Sequence, residues 1–344
     1  MYQSLAVKYR PTKFEEVCGQ NITTQILEKA IETRTFKNVY LFAGASGCGK
    51  TTCARIFANE INHGEGSPIE LDGGSNGGVD QIRNIIESAN QRALDSEYKV
   101  FIIDECQMLG GTTKSAWAAL LKFFEEIPTY TVVILCSTDP QKIPEAILNR
   151  VQRYNFSKID AKTIKARLEY ICAQEGFTNY EQTCDLISKL SNGCMRDAIT
   201  NLEHCASFSK DLNVNNAKQV LSDLSFEPLF KLTWALQQKD ISSILEITDS
   251  LYNTGVDLKQ FINTYLSFIL DLTKYSIFKT VEITNIPDYL ATAENPVVQE
   301  TVKVSTTSWF NELTEFLLQV KSDIKFDTSY KSTIEASLIS FCSR

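Results

Sequence analysis

A glycine-rich segment between an apolar strand and a helix constrains this chain more than any other feature. Residues 44–51 read Gly-Ala-Ser-Gly-Cys-Gly-Lys-Thr and match the pattern G-x-x-x-x-G-K-[ST] at every fixed position. An apolar run at 39–43 precedes the segment, and residues 53–58 follow it with helical character. Because this motif requires a strand, a loop and a helix in that order, the segment predicts a phosphate-binding loop for a nucleoside triphosphate.

The chemistry of such a loop follows from its residue types. Glycines let consecutive backbone N–H groups turn inward, and the helix N-terminus adds a field that favours phosphate oxygens. We expect Lys50 to reach the β- and γ-phosphates and the Thr51 hydroxyl to ligate Mg²⁺. The expected nucleotide-binding residues here are Gly44, Ala45, Ser46, Gly47, Cys48, Gly49, Lys50, Thr51 and Thr52. The alternative, a glycine-rich turn without a ligand, is disfavoured by the flanking strand and helix.

Two later strands end in polar residues that suit the same site. The apolar strand at 99–103 is followed by Asp104, expected to hold Mg²⁺, and Glu105, expected to polarise the attacking water. A strand at 131–135 leads to Thr138, whose hydroxyl can contact the γ-phosphate or that water. Each could instead be an ordinary strand end or turn. Their position after a complete phosphate loop favours catalytic roles.

Hydrophobic periodicity divides the chain into an α/β part and a helical part. Strands alternate with helices to about residue 157, which predicts a parallel sheet with its ligand at the carboxyl ends of the strands. The pattern is helical from there on. We therefore expect an α/β nucleotide-binding domain at 1–157, a small three-helix lid at 158–222 and an all-helical collar at 223–344.

Composition limits the class of protein. The 344 residues are 43% hydrophobic and 22% charged, as in soluble globular proteins, and no run reaches the ~18 apolar residues of a membrane span. The ten cysteines include no C-x-x-C pair and are accompanied by only two histidines, so we expect reduced thiols, no zinc and a cytoplasmic location. The net charge of −8 argues against wholesale coating of nucleic acid.

An ordered set of motifs resembles the AAA+ clamp loader family, and most closely the bacterial γ/τ subunits of the DNA polymerase III clamp loader. The set comprises Tyr9-Arg10-Pro11, Val17-Cys18-Gly19-Gln20, the phosphate loop, Asp104-Glu105, Ser137-Thr138, Asn149-Arg150 and Gly193-Cys194-Met195-Arg196-Asp197-Ala198. The motifs cover about residues 4–225, and the helical remainder resembles the family in arrangement only. The resemblance implies a P-loop AAA+ fold and an ATPase that uses ATP and Mg²⁺.

The resemblance also implies roles for residues outside the phosphate loop. Tyr9, Arg10, Pro11 and Val17 would line the adenine pocket, although an ordinary N-terminal wrap is the alternative for this arm. Thr138 would be the first sensor of the γ-phosphate.

The resemblance also implies roles for two arginines. Arg196 would be the second sensor, closing the lid over ATP, unless it forms a structural ion pair. Arg150 would be an arginine finger that completes a neighbouring subunit's site, unless it is a solvated surface side chain. DNA contacts would come from Thr112, Thr113 and Lys114 at a helix start, with a plain solvated helix start as the alternative.

The chain also departs from the family pattern. The family's finger motif is serine-arginine-cysteine, whereas Asn149-Arg150-Val151 stands here. Residues 59–68 contain no cysteine, so we expect the family's four-cysteine zinc insertion to be absent. We also expect no τ tail beyond Arg344, which indicates a compact or divergent loader of bacterial or phage origin.

The leading hypothesis is the ATPase motor subunit of a DNA sliding-clamp loader. Its expected partners are other loader subunits in a pentameric ring, a sliding clamp and primer–template DNA, with no membrane. One alternative is a non-hydrolysing scaffold subunit of the same ring, which the intact Lys50, Thr51, Asp104 and Glu105 disfavour. Another is a different AAA+ machine, such as a branch-migration helicase or a helicase loader, in which we would not expect a collar of about 120 residues after the lid.

Overall fold

The computed structural model describes residues 3–75, 79–110, 115–221, 226–293 and 295–343. These residues form two compact units. The first unit comprises Met1–Ile171 and Ser191–Glu203, and the second comprises Cys172–Leu190 and His204–Arg344. The predicted lid therefore contributes residues to both units. The three-domain division of the chain stays a prediction.

A five-stranded parallel sheet forms the centre of the first unit, with the strand order β2-β3-β4-β1-β5. The strands are β1 (Val39–Gly44), β2 (Ile69–Asp72), β3 (Lys99–Asp104), β4 (Thr131–Ser137) and β5 (Gln152–Phe156). β1 lies between β4 and β5, and β3 lies beside β4. Because all the strands run in one direction, the polar residues that follow β1, β3 and β4 meet at one edge of the sheet.

Helices occupy most of the remaining described chain. Those up to residue 208 are α1 (Leu5–Lys8), α2 (Asn21–Glu32), α3 (Lys50–Ile61), α4 (Val79–Ala89), α5 (Ser115–Glu125), α6 (Glu145–Leu148), α7 (Ala161–Glu175), α8 (Glu181–Leu190) and α9 (Met195–Phe208). Those that follow are α10 (Val214–Val220), α11 (Glu227–Gln238), α12 (Ile241–Asn253), α13 (Leu258–Phe278), α14 (Val297–Val304), α15 (Thr307–Asp323) and α16 (Tyr330–Cys342). Short 3₁₀ turns lie at Phe14–Glu16, Cys106–Gly110, Pro140–Lys142 and Asp288–Ala291.

The central strands are apolar on both faces because helices cover both faces of the sheet. On one face, Tyr40 and Phe42 of β1 pack in a cluster with Phe57 of α3. On the other, Leu41 of β1 packs in a cluster with Leu120 of α5. Such two-sided burial explains why these strands read as continuous apolar runs rather than as alternating ones.

The second unit has a separate, helical core. Apolar residues of α13 and α15 meet in this core, for example Tyr265 and Ile269 on α13 and Leu313 and Leu317 on α15. The Asp257 carboxylate caps α13 by accepting from the backbone N–H of Lys259 at 2.9 Å. The predicted fold class, a parallel α/β sheet with flanking helices followed by a mainly helical remainder, is confirmed.

One predicted helix boundary is wrong. The amphipathic pattern predicts a helix over 79–93, but α4 ends at Ala89. The backbone N–H of Gln91 turns back to the Ser88 carbonyl, and the Lys99 ammonium also donates to that carbonyl. These bonds satisfy a carbonyl at the helix end and stop the helix there.

Candidate nucleotide-binding and hydrolysis site

The phosphate loop joins β1 to α3, as its motif predicts. Gly47 has a φ of 65°, and a Cβ added to it would lie 2.1 Å from the Sγ of Cys194. Only glycine fits there, because the left-handed backbone and the thiol both exclude a side chain. The Gly47 carbonyl accepts a hydrogen bond of 3.1 Å from the backbone N–H of Met195, at the start of α9. The loop is thereby tied to the helix that carries Arg196.

Lys50 is the first residue of α3 and lies buried in the loop. Its ammonium donates to the carbonyl oxygens of Gly44 at 2.9 Å and Ala45 at 2.8 Å. An ammonium carries three N–H donors, so one donor remains for a phosphate oxygen. A buried cation at the N-terminus of a helix suits an anionic ligand.

The two expected magnesium ligands meet at this loop. The Thr51 hydroxyl donates to one oxygen of Asp104 at 2.7 Å, and the other oxygen accepts from the backbone N–H of Glu105 at 3.0 Å. A hydroxyl next to a carboxylate offers the hard oxygen donors that Mg²⁺ prefers. The donor set therefore fits the expected metal.

Glu105 and Thr138 also come together, from the ends of β3 and β4. The Glu105 carboxylate accepts from the Thr138 hydroxyl at 2.8 Å and from the side-chain amide of Gln107. Sequence reasoning missed Gln107. No spacing pattern singles out a glutamine three residues beyond a strand, and only the adjacency of β3 and β4 brings it to Thr138.

A cavity of about 360 Å³ opens at this edge of the sheet, within the size range of small-ligand pockets. Its lining contains the loop from Ser46 to Thr52, both carboxylates of β3, and Arg196. It also contains the arm residues Tyr9, Arg10, Pro11 and Val17. One cavity thus brings together most of the predicted phosphate, metal and adenine residues, whereas Gly44, Ala45 and Thr138 are not part of its lining.

Arg167 on α7 is a second residue that sequence reasoning missed. It lines the cavity, and its guanidinium donates to the Tyr9 carbonyl at 2.9 Å. It also stacks over the ring of Tyr170, with 5.2 Å between the guanidinium carbon and the ring centroid. A single charged residue in a helix does not form a recognisable sequence motif. Its contact with Tyr9 in the arm exists only in the folded unit.

Arg196 and Arg150 differ in where they lie. Arg196 is exposed and lines the cavity from the first turn of α9. Arg150 is absent from the lining; its guanidinium donates to Glu125 at 2.6 Å and to the Ala146 carbonyl at 3.0 Å. Thr112, Thr113 and Lys114 lie outside the described residues.

The cysteines near the site are protonated thiols. Burial raises the pKa of Cys48, whose thiol donates to the Ala45 carbonyl, and raises that of Cys53 to about 12. Burial also raises the pKa of Cys18, which lines the cavity. These thiols are poor nucleophiles and poor metal ligands at neutral pH. Within the described residues no group of three or more His, Cys, Asp and Glu side chains is arranged to hold a metal ion.

The chain is similar to subunits of DNA polymerase III. A family model described as "DNA polymerase III, delta subunit" matches residues 60–160. The chain is 34% identical over 337 residues to DNA polymerase III subunit tau of Bacillus subtilis, covering 91% of this chain and 56% of that protein. It is 26% identical to DNA polymerase III subunit gamma of Buchnera aphidicola, covering 98% of each. The Buchnera subunit is matched over almost its whole length. The chain spans only about half the length, or less, of the Bacillus protein and of several other curated relatives.

A solved structure with a similar fold is the Holliday junction branch migration motor RuvB of Thermotoga maritima. The TM-score is 0.52 at 20% identity, and the match covers 72% of this chain and 86% of that one. This likeness shows the fold alone.

By its parallel sheet and the loop between β1 and α3, the chain has the α/β fold of a P-loop protein. By sequence it resembles the bacterial DNA polymerase III γ/τ subunits within the AAA+ clamp loader family, so the predicted resemblance is confirmed. No helix in the described ranges is both long and apolar enough to cross a membrane.

Proposed function

We propose that this chain is the ATPase motor subunit of a DNA sliding-clamp loader. ATP binding makes a ring of subunits open a clamp and hold primer–template DNA, and hydrolysis then releases the closed clamp. The observation that carries the proposal is the single cavity that unites the phosphate loop, the Asp104–Glu105 pair and Arg196. The relatives named as DNA polymerase III γ/τ subunits support the choice of clamp loading among AAA+ functions.

Charge placement accounts for most of the catalysis in phosphoryl transfer. Lys50 and the N–H groups of the loop bind the β- and γ-phosphate oxygens. Thr51 and Asp104 would hold Mg²⁺, which would supply positive charge to the triphosphate. Glu105 orients and polarises the attacking water, and Thr138 contacts the γ-phosphate region through its hydroxyl.

The arm and the arginines complete the site in this proposal. Tyr9, Arg10, Pro11 and Val17 hold the adenine, and Arg196 closes over the triphosphate. Arg150 acts on a neighbouring subunit's nucleotide, and its location outside the cavity of its own chain supports this role.

The wider assembly is part of the same proposal. Residues 158–222 act as a lid, and residues 223–344 form a collar that joins subunits into a pentameric ring in the cytoplasm. The helix start at Thr112, Thr113 and Lys114 contacts the DNA backbone.

The first test is the substitution Lys50→Ala. Loss of the ammonium removes the main positive charge facing the phosphates, so ATP turnover and clamp loading should fall to background. The measurement is the rate of phosphate release with and without primed DNA and a candidate clamp. Melting temperature and binding of a fluorescent ATP analogue are recorded for every variant.

The matched control is Lys37→Ala, which removes an exposed lysine outside the cavity and should leave turnover unchanged. DNA-stimulated turnover that survives in Lys50→Ala would refute the assigned site. Turnover without any clamp loading, or a closed six-membered ring in negative-stain images, would point instead to another AAA+ machine such as a branch-migration motor.

A further inference from the structure

A hydrogen-bonded group of side chains lies at the ends of β3 and β4, next to the cavity. Gln107 is at its centre and is only 8% exposed. Its amide nitrogen donates to the Glu105 carboxylate and to the Thr138 hydroxyl, the latter at 2.8 Å. Its amide oxygen accepts from the Ser137 hydroxyl at 2.8 Å.

The donors and acceptors of this group can be assigned without conflict. The amide uses one hydrogen for Glu105 and the other for Thr138, which in turn donates its own hydrogen to Glu105. Ser137 donates to the amide oxygen and accepts from the backbone N–H of Asp139 at 3.1 Å. A flipped amide would place its oxygen against the carboxylate, so this network permits one orientation only.

We propose that Gln107 is a positioning residue, whose buried amide holds the Glu105 carboxylate and the Thr138 hydroxyl in one fixed arrangement for hydrolysis. The inference rests on the proposed ATPase function and deepens it. Gln107 does not line the cavity, whereas Glu105 does, so Gln107 acts through the carboxylate rather than on the nucleotide.

The left-handed backbone of Glu105 makes such a restraint necessary. A φ of 46° is uncommon for a residue with a side chain, so the backbone of Glu105 is strained. This backbone sets the direction in which the side chain leaves the chain. The side chain of Glu105 has rotatable bonds beyond that backbone, and a buried hydrogen-bond partner removes their freedom. Gln107 supplies that partner from a 3₁₀ turn only two residues away.

The test compares Gln107→Met with the unsubstituted full chain. Methionine keeps the length and volume of the side chain but has no amide, so the carboxylate loses its fixed position. The kcat for ATP should fall by about tenfold or more, because a small misplacement of a catalytic group has effects of this size. The KM for ATP and the binding of a fluorescent ATP analogue should change by less than about twofold, because Gln107 does not contact the nucleotide.

Two further variants separate positioning from stability. Ser137→Ala removes only the hydroxyl that orients the amide, and should lower kcat in the same direction but less, again without a change in KM. Asn62→Leu is the matched control: Asn62 is a buried amide that bonds both backbone groups of Tyr98 away from the cavity. It should lower the melting temperature without lowering kcat.

The outcomes discriminate between the two proposals. Absence of turnover in the assembled complex of the unsubstituted chain with its partner subunits, supplied with Mg²⁺, primed DNA and a candidate clamp, would overturn the proposed function and this role with it. Normal turnover in the unsubstituted chain with an equal or higher kcat in Gln107→Met would overturn only the role of Gln107. A kcat loss in Asn62→Leu as large as in Gln107→Met would also overturn it, because the effect would then be one of stability.

Discussion

Glu105 has a left-handed backbone conformation, and the residue that follows β2 packs closely against its carbonyl. Its backbone N–H donates to the Asp104 carboxylate, and its carbonyl accepts from the Met108 N–H at 2.9 Å. These bonds offset the cost of a left-handed residue, which is of order 1–3 kcal/mol. Gly73, just after β2, lies against the same carbonyl and donates its own N–H to the Asp104 carbonyl at 2.8 Å.

Gly73→Ala tests that close approach. A Cβ at Gly73 would lie 2.7 Å from the Glu105 carbonyl oxygen, so the strand ends must separate. We expect the free energy of unfolding of the first unit to fall by about 1–3 kcal/mol, a typical cost of overpacking. Urea unfolding followed by circular dichroism measures it.

Gly74→Ala is the control for this prediction. At Gly74 the nearest atom to an added Cβ is an Asp72 carboxylate oxygen at 3.4 Å, an ordinary contact. Equal unfolding midpoints for the two variants would show that the strand ends can separate at no cost, contrary to the prediction.

A candidate site residue could be predicted from the sequence only where it belongs to a recognised motif. Lys50 and Asp104 follow from residue type and spacing alone, because phosphate and metal chemistry demand them at a loop and a strand end. Gln107 and Arg167 have no such pattern. Each contacts a residue distant in sequence, Thr138 for Gln107 and Tyr9 for Arg167, and such contacts exist only once the sheet and helices are assembled.

Most elements were predictable because β1, β3 and β4 are short apolar runs, β5 alternates between exposed and buried residues, and most long helices have an apolar stripe. The starts of helices depend on local capping. The Asp160 carboxylate precedes α7 and accepts from the backbone N–H of Thr163 at 2.8 Å and from its hydroxyl at 2.6 Å. The hydrogen bond from the Thr163 hydroxyl is the main cause that holds the pKa of Asp160 below its usual value.

Asp160→Ala should lower the free energy of unfolding by about 1 kcal/mol at pH 7, the typical value of an N-cap. A carboxyl with a depressed pKa in the folded state stabilises above its unfolded pKa, and this contribution is lost as the pH falls through the folded pKa. The difference between Asp160→Ala and the unsubstituted chain should therefore shrink below about pH 4.

Thermal melting at a series of pH values measures that difference. Asp160→Asn, which keeps an acceptor oxygen without the charge, should retain most of the cap at pH 7. A destabilisation by Asp160→Ala that stays constant down to pH 3 would show that the cap contributes nothing through its charge.

At the scale of the whole molecule, the site is incomplete within one chain if Arg150 acts in trans. The role of Arg150 as an arginine finger is implied only by the resemblance to the family. No sequence pattern around an exposed arginine indicates that it contacts a neighbouring subunit. In the isolated chain Arg150 pairs with Glu125, and the side chains are 38% and 50% exposed. A surface ion pair of this kind contributes at most about 1 kcal/mol, so a nearby nucleotide phosphate can replace Glu125 as the partner.

Arg150→Ala should therefore leave ATP binding and the melting temperature nearly unchanged while suppressing hydrolysis in the assembled complex. An arginine finger accounts for a factor of roughly 10³ or more in the hydrolysis rate. The control is Arg153→Ala on β5, which removes an arginine whose side chain bonds Asn155. This variant should hydrolyse ATP normally.

Mixing Arg150→Ala with Lys50→Ala subunits sharpens the test. A subunit with an intact loop next to one with an intact Arg150 re-forms a complete site, so part of the activity should return. If nucleotide binding collapses in Arg150→Ala, or if the mixture stays inactive although it assembles, Arg150 acts within its own chain and the trans role is wrong.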